Sequence, residues 1–352
     1  MSAEDLARTV VSRRIAPHAA AGCARRVGNR WSIDVGVSDR ETTFFDLASL
    51  TKPLCAVAWA ISGLDLRAPL VSYLDEVGES PSAPVSVELF LAHRAGLVDH
   101  IPLYAPLLVG GRVSRQDAIL SCANARRSDA IGDAPAAGFP PIYSDPNYIL
   151  AGEALARATS TDDAGVAVAK LVTGPLGISD ILGSALALSR TNGGWIGAVA
   201  PTEVVEWRGG SLRGVVHDEN AWALTGQGAS GHAGLFGNVQ SVLQFGCAIL
   251  DGRKGALGHA DYGTLTKPRP GGSLLAGFDG KSASGSSAGS RMGPNAFGHL
   301  GFTGTSLWLD PDLGVVVALL TNRVCPSRDN VAIRAARPGL HDALVECALR
   351  LR

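Results

Sequence analysis

Apolar and polar positions alternate near both ends of the chain and recur at helical spacing between them. Residues 4–20 predict a helix, broken at Pro17. Residues 23–30 and 31–37 predict a hairpin that turns at Gly28-Asn29. Residues 44–48 lead into an apolar helix running from Ser49 to about Ser62. Pro53 is tolerated only in a first helical turn, so it fixes that start. From 64 to 200 the pattern is mostly helical, with helices expected over 87–93, 115–125, 147–158 and 162–171. Segments 199–207 and 214–217 read as extended, and 239–250 as an amphipathic helix. The Gly- and Ser-rich stretch 279–295 reads as a mobile loop. Strands are predicted over 301–309 and 314–322 about an Asp310-Pro311-Asp312-Leu313 turn, and a closing helix over 339–351. No internal repeat is visible. Strands at both ends with helices between predict an α+β fold. Residues 1–63 and 200–352 would form a sheet-containing part and 64–199 a mostly helical insertion, one structural unit with its site between them.

Composition narrows the function classes. A chain of 352 residues can bury a large core. Its net charge of −1 gives no electrostatic reason to expect nucleic acid. No run of 18 uncharged apolar residues suggests a membrane span. Met1–Leu6 has no basic or apolar leader pattern, so a cytoplasmic location is expected. The six cysteines lack CxxC spacing, and Cys55 and Cys247 sit in apolar runs as small core residues do.

The chemistry concentrates in Ser49-Leu50-Thr51-Lys52. A serine three residues before a lysine at a helix start puts hydroxyl and amine on one face. A neutral amine can take the hydroxyl proton and make the serine a nucleophile. Of the 31 basic residues only five are lysine (positions 52, 170, 254, 267 and 281). A position needing only charge would be arginine in this chain, and arginine cannot act as a base. The tetrapeptide alone arises by chance about once in a few hundred residues. Tyr143, in a turn before a helix, adds a phenol that can relay a proton; standing alone it would read as an ordinary loop tyrosine. The Gly-rich segment 297–305 adds a strand that substrate backbone could approach, and its alternative is a plain edge strand.

With these residues in place, the chain resembles the serine β-lactamase and penicillin-binding-protein superfamily, in its class C-like branch of esterases, D-amino-acid peptidases and carboxypeptidases. Phe45–Leu54 resembles that family's nucleophile helix, and Leu89–Leu97 its L-L-x-H-x-S-G-L segment. Tyr143-Ser144-Asp145 stands where Tyr-x-Asn is usual. Gly231–Gly237 resembles the turn before the next helix, His299-Leu300-Gly301 replaces Lys-Thr-Gly or His-x-Gly, and Thr321-Asn322-Arg323 ends the following strand. The resemblance implies a β-lactamase/transpeptidase-like fold: an antiparallel sheet flanked by helices, with a mostly helical insertion. It also implies a cofactor-free acyl hydrolase. Ser49 would attack, with Lys52 as base, held neutral by burial and neighbouring positive charge. Tyr143 would share the proton transfers, and the N–H groups of Ser49 and Phe302 would form the oxyanion hole. Asp145, His299, Leu300, Gly301 and Phe302 would line the substrate site, with no metal. Asp145 replaces an amide donor with an anion. His299 keeps part, and Leu300 none, of the carboxylate binding that lysine and threonine provide. Small neutral esters or amides are therefore expected over penicillins.

Other patterns weigh little. Gly226–Gly231 matches GxGxxG, but no second strand follows its helix at once. Gly285–Gly289 matches GxSxG without a strand before it, and Gly280-Lys281-Ser282 lacks a phosphate loop's upstream glycine. His217-Asp218-Glu219 with His232 read as carboxylate–histidine hydrogen bonds in a structural loop more readily than as metal ligands. The expected partner is a small-molecule or short peptide-like acyl substrate, with no nucleic acid or membrane. The alternatives are an impaired binding or regulatory protein of the same fold and, remotely, an NAD-dependent oxidoreductase.

Overall fold

The structure, a computed structural model, describes residues 1–252, 255–258 and 262–352; Lys254 and part of the polar 252–262 stretch lie outside them. Its strands are β1 (Ala19–Val27), β2 (Arg30–Val37), β3 (Phe45–Asp46), β4 (Leu182–Ser184), β5 (Val204–Val205), β6 (Gly210–Ser211), β7 (Leu235–Gly237), β8 (Asp279–Gly280), β9 (Phe297–Leu300), β10 (Ser306–Asp310) and β11 (Val315–Thr321). The main sheet is antiparallel, ordered β2-β1-β11-β10-β9-β8. Chain-distant strands thus meet: Ala20 on β1 faces Leu320 on β11, and Cys23 faces Val317. One face packs under helix Ala3–Ser12 and the C-terminal helix Ala332–Arg350. The other packs on helix Val239–Asp251 and a core that continues into the helices of the insertion. A small sheet, β3-β7-β4, ties the nucleophile segment to that core.

Several expectations are corrected. The first helix stops at Ser12, where Arg14 adopts φ +54°, and Ala19–Ala21, good helix formers, join β1 because Val- and Leu-rich β11 pairs with them. Segment 301–309 is not one strand: β9 ends at Leu300, and 301–305 turn into β10 with Gly304 at φ +104°. The helix expected over 162–171 is Ala164–Val168 followed by a π-turn at Ala169–Thr173. Only Val204–Val205 of segment 199–207 is strand, and none of 214–217 is. Stretch 279–295 is tied down: it supplies β8, buries Ala288 and Met292, and binds Asp342 through the Ser290 N–H (2.7 Å) and Oγ (2.9 Å). The closing helix begins at Ala332 and includes Pro338.

Two features hold the insertion over the sheet. Trp59 Nε1–H donates to the Ala151 carbonyl at 2.9 Å, joining helix Thr51–Ile61 to helix Asp145–Ala158. A Cβ on Gly152 would lie 2.5 Å from Gly231 Cα, so only glycine lets that helix press on the 231–234 loop.

Candidate active site

Ser49 sits in a single 3-10 turn, Ala48–Leu50, that feeds helix Thr51–Ile61. The approach is clamped. Asp46 Oδ1 accepts the Ala48 N–H and Oδ2 the His217 N–H, both at 2.8 Å. Thr303 Oγ donates to the Asp46 carbonyl at 2.8 Å, and Thr305 Oγ to that of Leu47 at 3.0 Å. These contacts hold Ala48 at φ +47°, a costly conformation for a residue with a Cβ. They also tie the 301–305 turn, which carries Phe302, to the segment just before the serine, and both line the same cleft.

Lys52 is fully buried. Its Nζ–H groups donate to Ser49 Oγ (3.0 Å), Asp145 Oδ1 (2.8 Å) and the His232 carbonyl (3.3 Å). It also lies 4.8 Å from the Tyr143 ring centre and 5.7 Å from that of Tyr148. Burial alone would drive the amine towards neutrality; the Asp145 carboxylate, reinforced by Tyr143, outweighs it and holds the ammonium form. The expectation of a neutral lysine beside positive charge is corrected here, because the nearest charge is negative.

Asp145 occupies the first turn of helix Asp145–Ala158, capped by Ser144, and its N–H donates to the Asp99 carbonyl. Burial would raise its pKa, but Lys52 and His100 hold it well below the usual carboxylate range. His100 Nδ1 lies 3.8 Å from Asp145 Oδ2, and hydrogen bonding to that carboxylate raises its pKa. Asp145 is thus an anion, as expected, but a paired one.

Tyr143 packs between His93 (4.7 Å between ring centres) and His299 (5.9 Å). The residue is partly exposed. Burial raises the phenol pKa, Lys52 and Ser49 pull it back, and the group stays protonated. His93 Nδ1 accepts the Ser144 N–H at 3.0 Å, which sets the 143–145 turn. His299 is buried on β9, with Nδ1–H donating to the Leu300 carbonyl at 2.8 Å. Burial and Lys52 lower its pKa to about 3. It is therefore neutral and brings no positive charge to the part of the carboxylate binding it was expected to keep.

These groups open onto a cleft of about 500 Å³ lined by Ser49, Tyr143, Asp145 and the expected quartet His299, Leu300, Gly301 and Phe302. The sequence reading missed a second wall of arginines. Arg323 Nε–H holds the Phe302 carbonyl at 2.8 Å, and Arg337 the Gly301 and Thr305 carbonyls at 3.1 and 3.0 Å. Arg328 pairs with Glu203 and Glu219. Arg334 is exposed at the mouth, and its guanidinium has no partner among the described residues. The i,i+3 spacing of Arg334 and Arg337 on the closing helix was the available signal. His217 and His232 bind Glu203 and Asp218, each at 2.9 Å, as a structural loop requires.

An antiparallel sheet closed by both termini, with a cleft between it and a helical insertion, defines the β-lactamase/transpeptidase-like class of α+β proteins. The chain belongs to the Beta-lactamase family, whose model matches residues 6–340. It is 25% identical over 331 residues to a putative D-alanyl-D-alanine carboxypeptidase of Escherichia coli K12, covering 86% of this chain and 74% of that one. Among solved structures it is similar to a family VIII carboxylesterase (TM-score 0.65, 18% identity, 97% and 96% of the two chains). It is also similar to a class C β-lactamase of Rhodobacter sphaeroides (TM-score 0.63, 16% identity, 97% and 99%). The protein is a hydrolase of this fold family. No described helix is long and apolar enough to cross a membrane.

Proposed function

We propose that the protein is a serine acyl hydrolase that cleaves small esters or peptide-like amides through an acyl-enzyme on Ser49. The observation carrying this reading is the 3.0 Å hydrogen bond from Lys52 Nζ to Ser49 Oγ at the floor of the cleft. Lys52 rests as an ammonium, so the serine proton needs a route. The reactive form is the one in which Lys52 has released a proton to solvent, and the Asp145 carboxylate at 2.8 Å, by holding the ammonium, keeps that form scarce. The amine then takes the Ser49 proton as the carbonyl is attacked. The N–H groups of Ser49 and Phe302 stabilise the oxyanion. Tyr143, protonated and beside both groups, gives its proton to the leaving group, then draws one from the water that releases the acyl group.

The substrate reading shifts from the sequence expectation. Repulsion by Asp145 is reduced because Lys52 pairs with it, and Arg334 supplies a positive group at the mouth. Neutral esters and amides carry no handicap, and a carboxylate on the substrate meets that arginine. A second reading, an impaired binding protein, is favoured by the same Lys52–Asp145 pair, which resists deprotonation. A fluorophosphonate probe separates the two. Stoichiometric labelling of Ser49, lost in Ser49→Ala, supports the hydrolase; a folded wild type that stays unlabelled, or labelling that persists in the variant, rejects it. p-Nitrophenyl butyrate and nitrocefin turnover then rank the substrate classes.

A further inference from the structure

The helix-covered face of the main sheet is largely apolar around β1 and β11. Ala19, Ala21, Val315, Val317 and Leu319 pack there against Leu6, Val10, Leu344 and Val345. Cys23 on β1 projects into this layer opposite Asp34, its direct cross-strand partner on β2. Cys347 enters from helix Ala332–Arg350. The two Sγ atoms and a carboxylate oxygen of Asp34 all lie within 4.8 Å of one another. Both cysteines are buried and Asp34 is partly exposed. Asp34 Oδ2 accepts the Cys347 S–H at 3.2 Å and the Ala3 N–H at 3.0 Å. Capping the first helix explains the second contact. It does not explain why two thiols converge on the same carboxylate, whose other oxygen has no partner among the described residues.

We propose that Cys23, Asp34 and Cys347 form a binding site for a thiophilic divalent cation such as Zn²⁺. In a tetrahedral zinc site with metal–sulfur bonds of about 2.3 Å, ligand atoms sit about 3.8 Å apart, so the trio needs to contract by about an ångström or less. Binding releases two protons: the ion and two thiols become a dithiolate complex, with no oxidant or reductant. Asp34 supplies the third ligand, and water reaches the fourth position along its solvent side. Arg350, close to both cysteines, balances the remaining negative charge. None of the three residues lines the cleft, so the site is separate from Ser49. Its effect is to staple the N-terminal hairpin to the helix that carries Arg334 and Arg337.

The test uses the reduced full-length protein after chelator treatment. Cd²⁺ titration should give a thiolate-to-metal charge-transfer band saturating at one ion per chain, and Zn²⁺ should displace Cd²⁺ and raise the Tm. Cys347→Ser should abolish the band. Asp34→Asn, nearly isosteric and tolerant of folding, should weaken Zn²⁺ binding at least about tenfold, and Cys325→Ser should behave as wild type. The proposal fails if wild type binds neither ion stoichiometrically, or if the band survives Cys347→Ser. It also fails if peroxide joins Cys23 to Cys347 at a rate that excess Zn²⁺ does not slow, since the pair would then be a redox couple and not a metal site.

Discussion

Replacing Asp145 with asparagine should make Ser49 acylate faster at neutral pH. The carboxylate sits 2.8 Å from a fully buried ammonium. At an effective dielectric of about 20, that pair is worth about 6 kcal/mol. At about 1.36 kcal/mol per unit this is about four pKa units; halving it for Asp145's solvent access leaves about two. The asparagine side chain keeps the shape and can accept one hydrogen bond, but it no longer opposes burial. The Lys52 pKa then falls, and the neutral fraction at pH 7 rises about a hundredfold. The assay is the rate of fluorophosphonate labelling followed by intact mass over about pH 5 to 10, a span that covers the ordinary amine range and below. The rising limb of the profile should move about two units towards acid. Superimposable profiles would refute the reasoning. So would slower labelling at every pH, because Asp145 would then be an essential proton acceptor and not a brake. Stability gives an independent reading with a definite sign. Asp145 is depressed in the folded state, so its contribution is present above its unfolded pKa, about 3.9, and declines as pH falls below it. The Tm gap between wild type and the variant should begin to close below about pH 4.

Three further outcomes are expected. Arg334→Ala should lower kcat/KM for nitrocefin about threefold to tenfold while leaving p-nitrophenyl butyrate unchanged; equal effects on both would remove the arginine from carboxylate recognition. Gly301→Ala should cut acylation on the order of a hundredfold and lower the Tm, because its Cβ would overlap the buried Thr305 Oγ that holds the Leu47 carbonyl, and would meet that carbonyl at 2.6 Å, displacing the turn that carries Phe302; a rate within a few-fold of wild type would dissociate that turn from catalysis. His341, buried between Ser306 Oγ (2.8 Å) and the Ser287 carbonyl (2.6 Å), has a folded pKa lowered to about 4, chiefly by burial. The unfolded chain protonates it from about pH 6.5 downwards, so up to about 3 kcal/mol is lost between those values. Urea midpoints of His341→Gln should fall less steeply across that window, and parallel slopes would show that His341 is not the group.

What the sequence made legible was whatever local chemistry dictates. Pro53 and the apolar run behind it place the Thr51–Ile61 helix start within two residues of Ser49, and i,i+3 geometry then brings Lys52 to the serine without tertiary knowledge. The β10–β11 hairpin was readable because Asp310-Pro311-Asp312-Leu313 is a turn by composition, and Asp310 Oδ1 accepts the N–H groups of Asp312 and Leu313. What failed depended on partners far along the chain. Ala19–Ala21 is helical by propensity and strand by its partner, β11, near the other end of the chain. The charge state of Lys52 belongs to a residue 93 positions away, and local pattern could name Asp145 as an anion without saying what would neutralise it. The same holds for His299: the His-x-Gly pattern identifies the residue, but its protonation follows from burial beside Lys52 and a carbonyl that fixes its tautomer. Sequence thus named the groups that line the candidate site, whereas their proton inventory is a tertiary property. Ser49→Ala therefore tests where the acyl group goes, and Asp145→Asn tests the proton inventory that sets how fast it gets there.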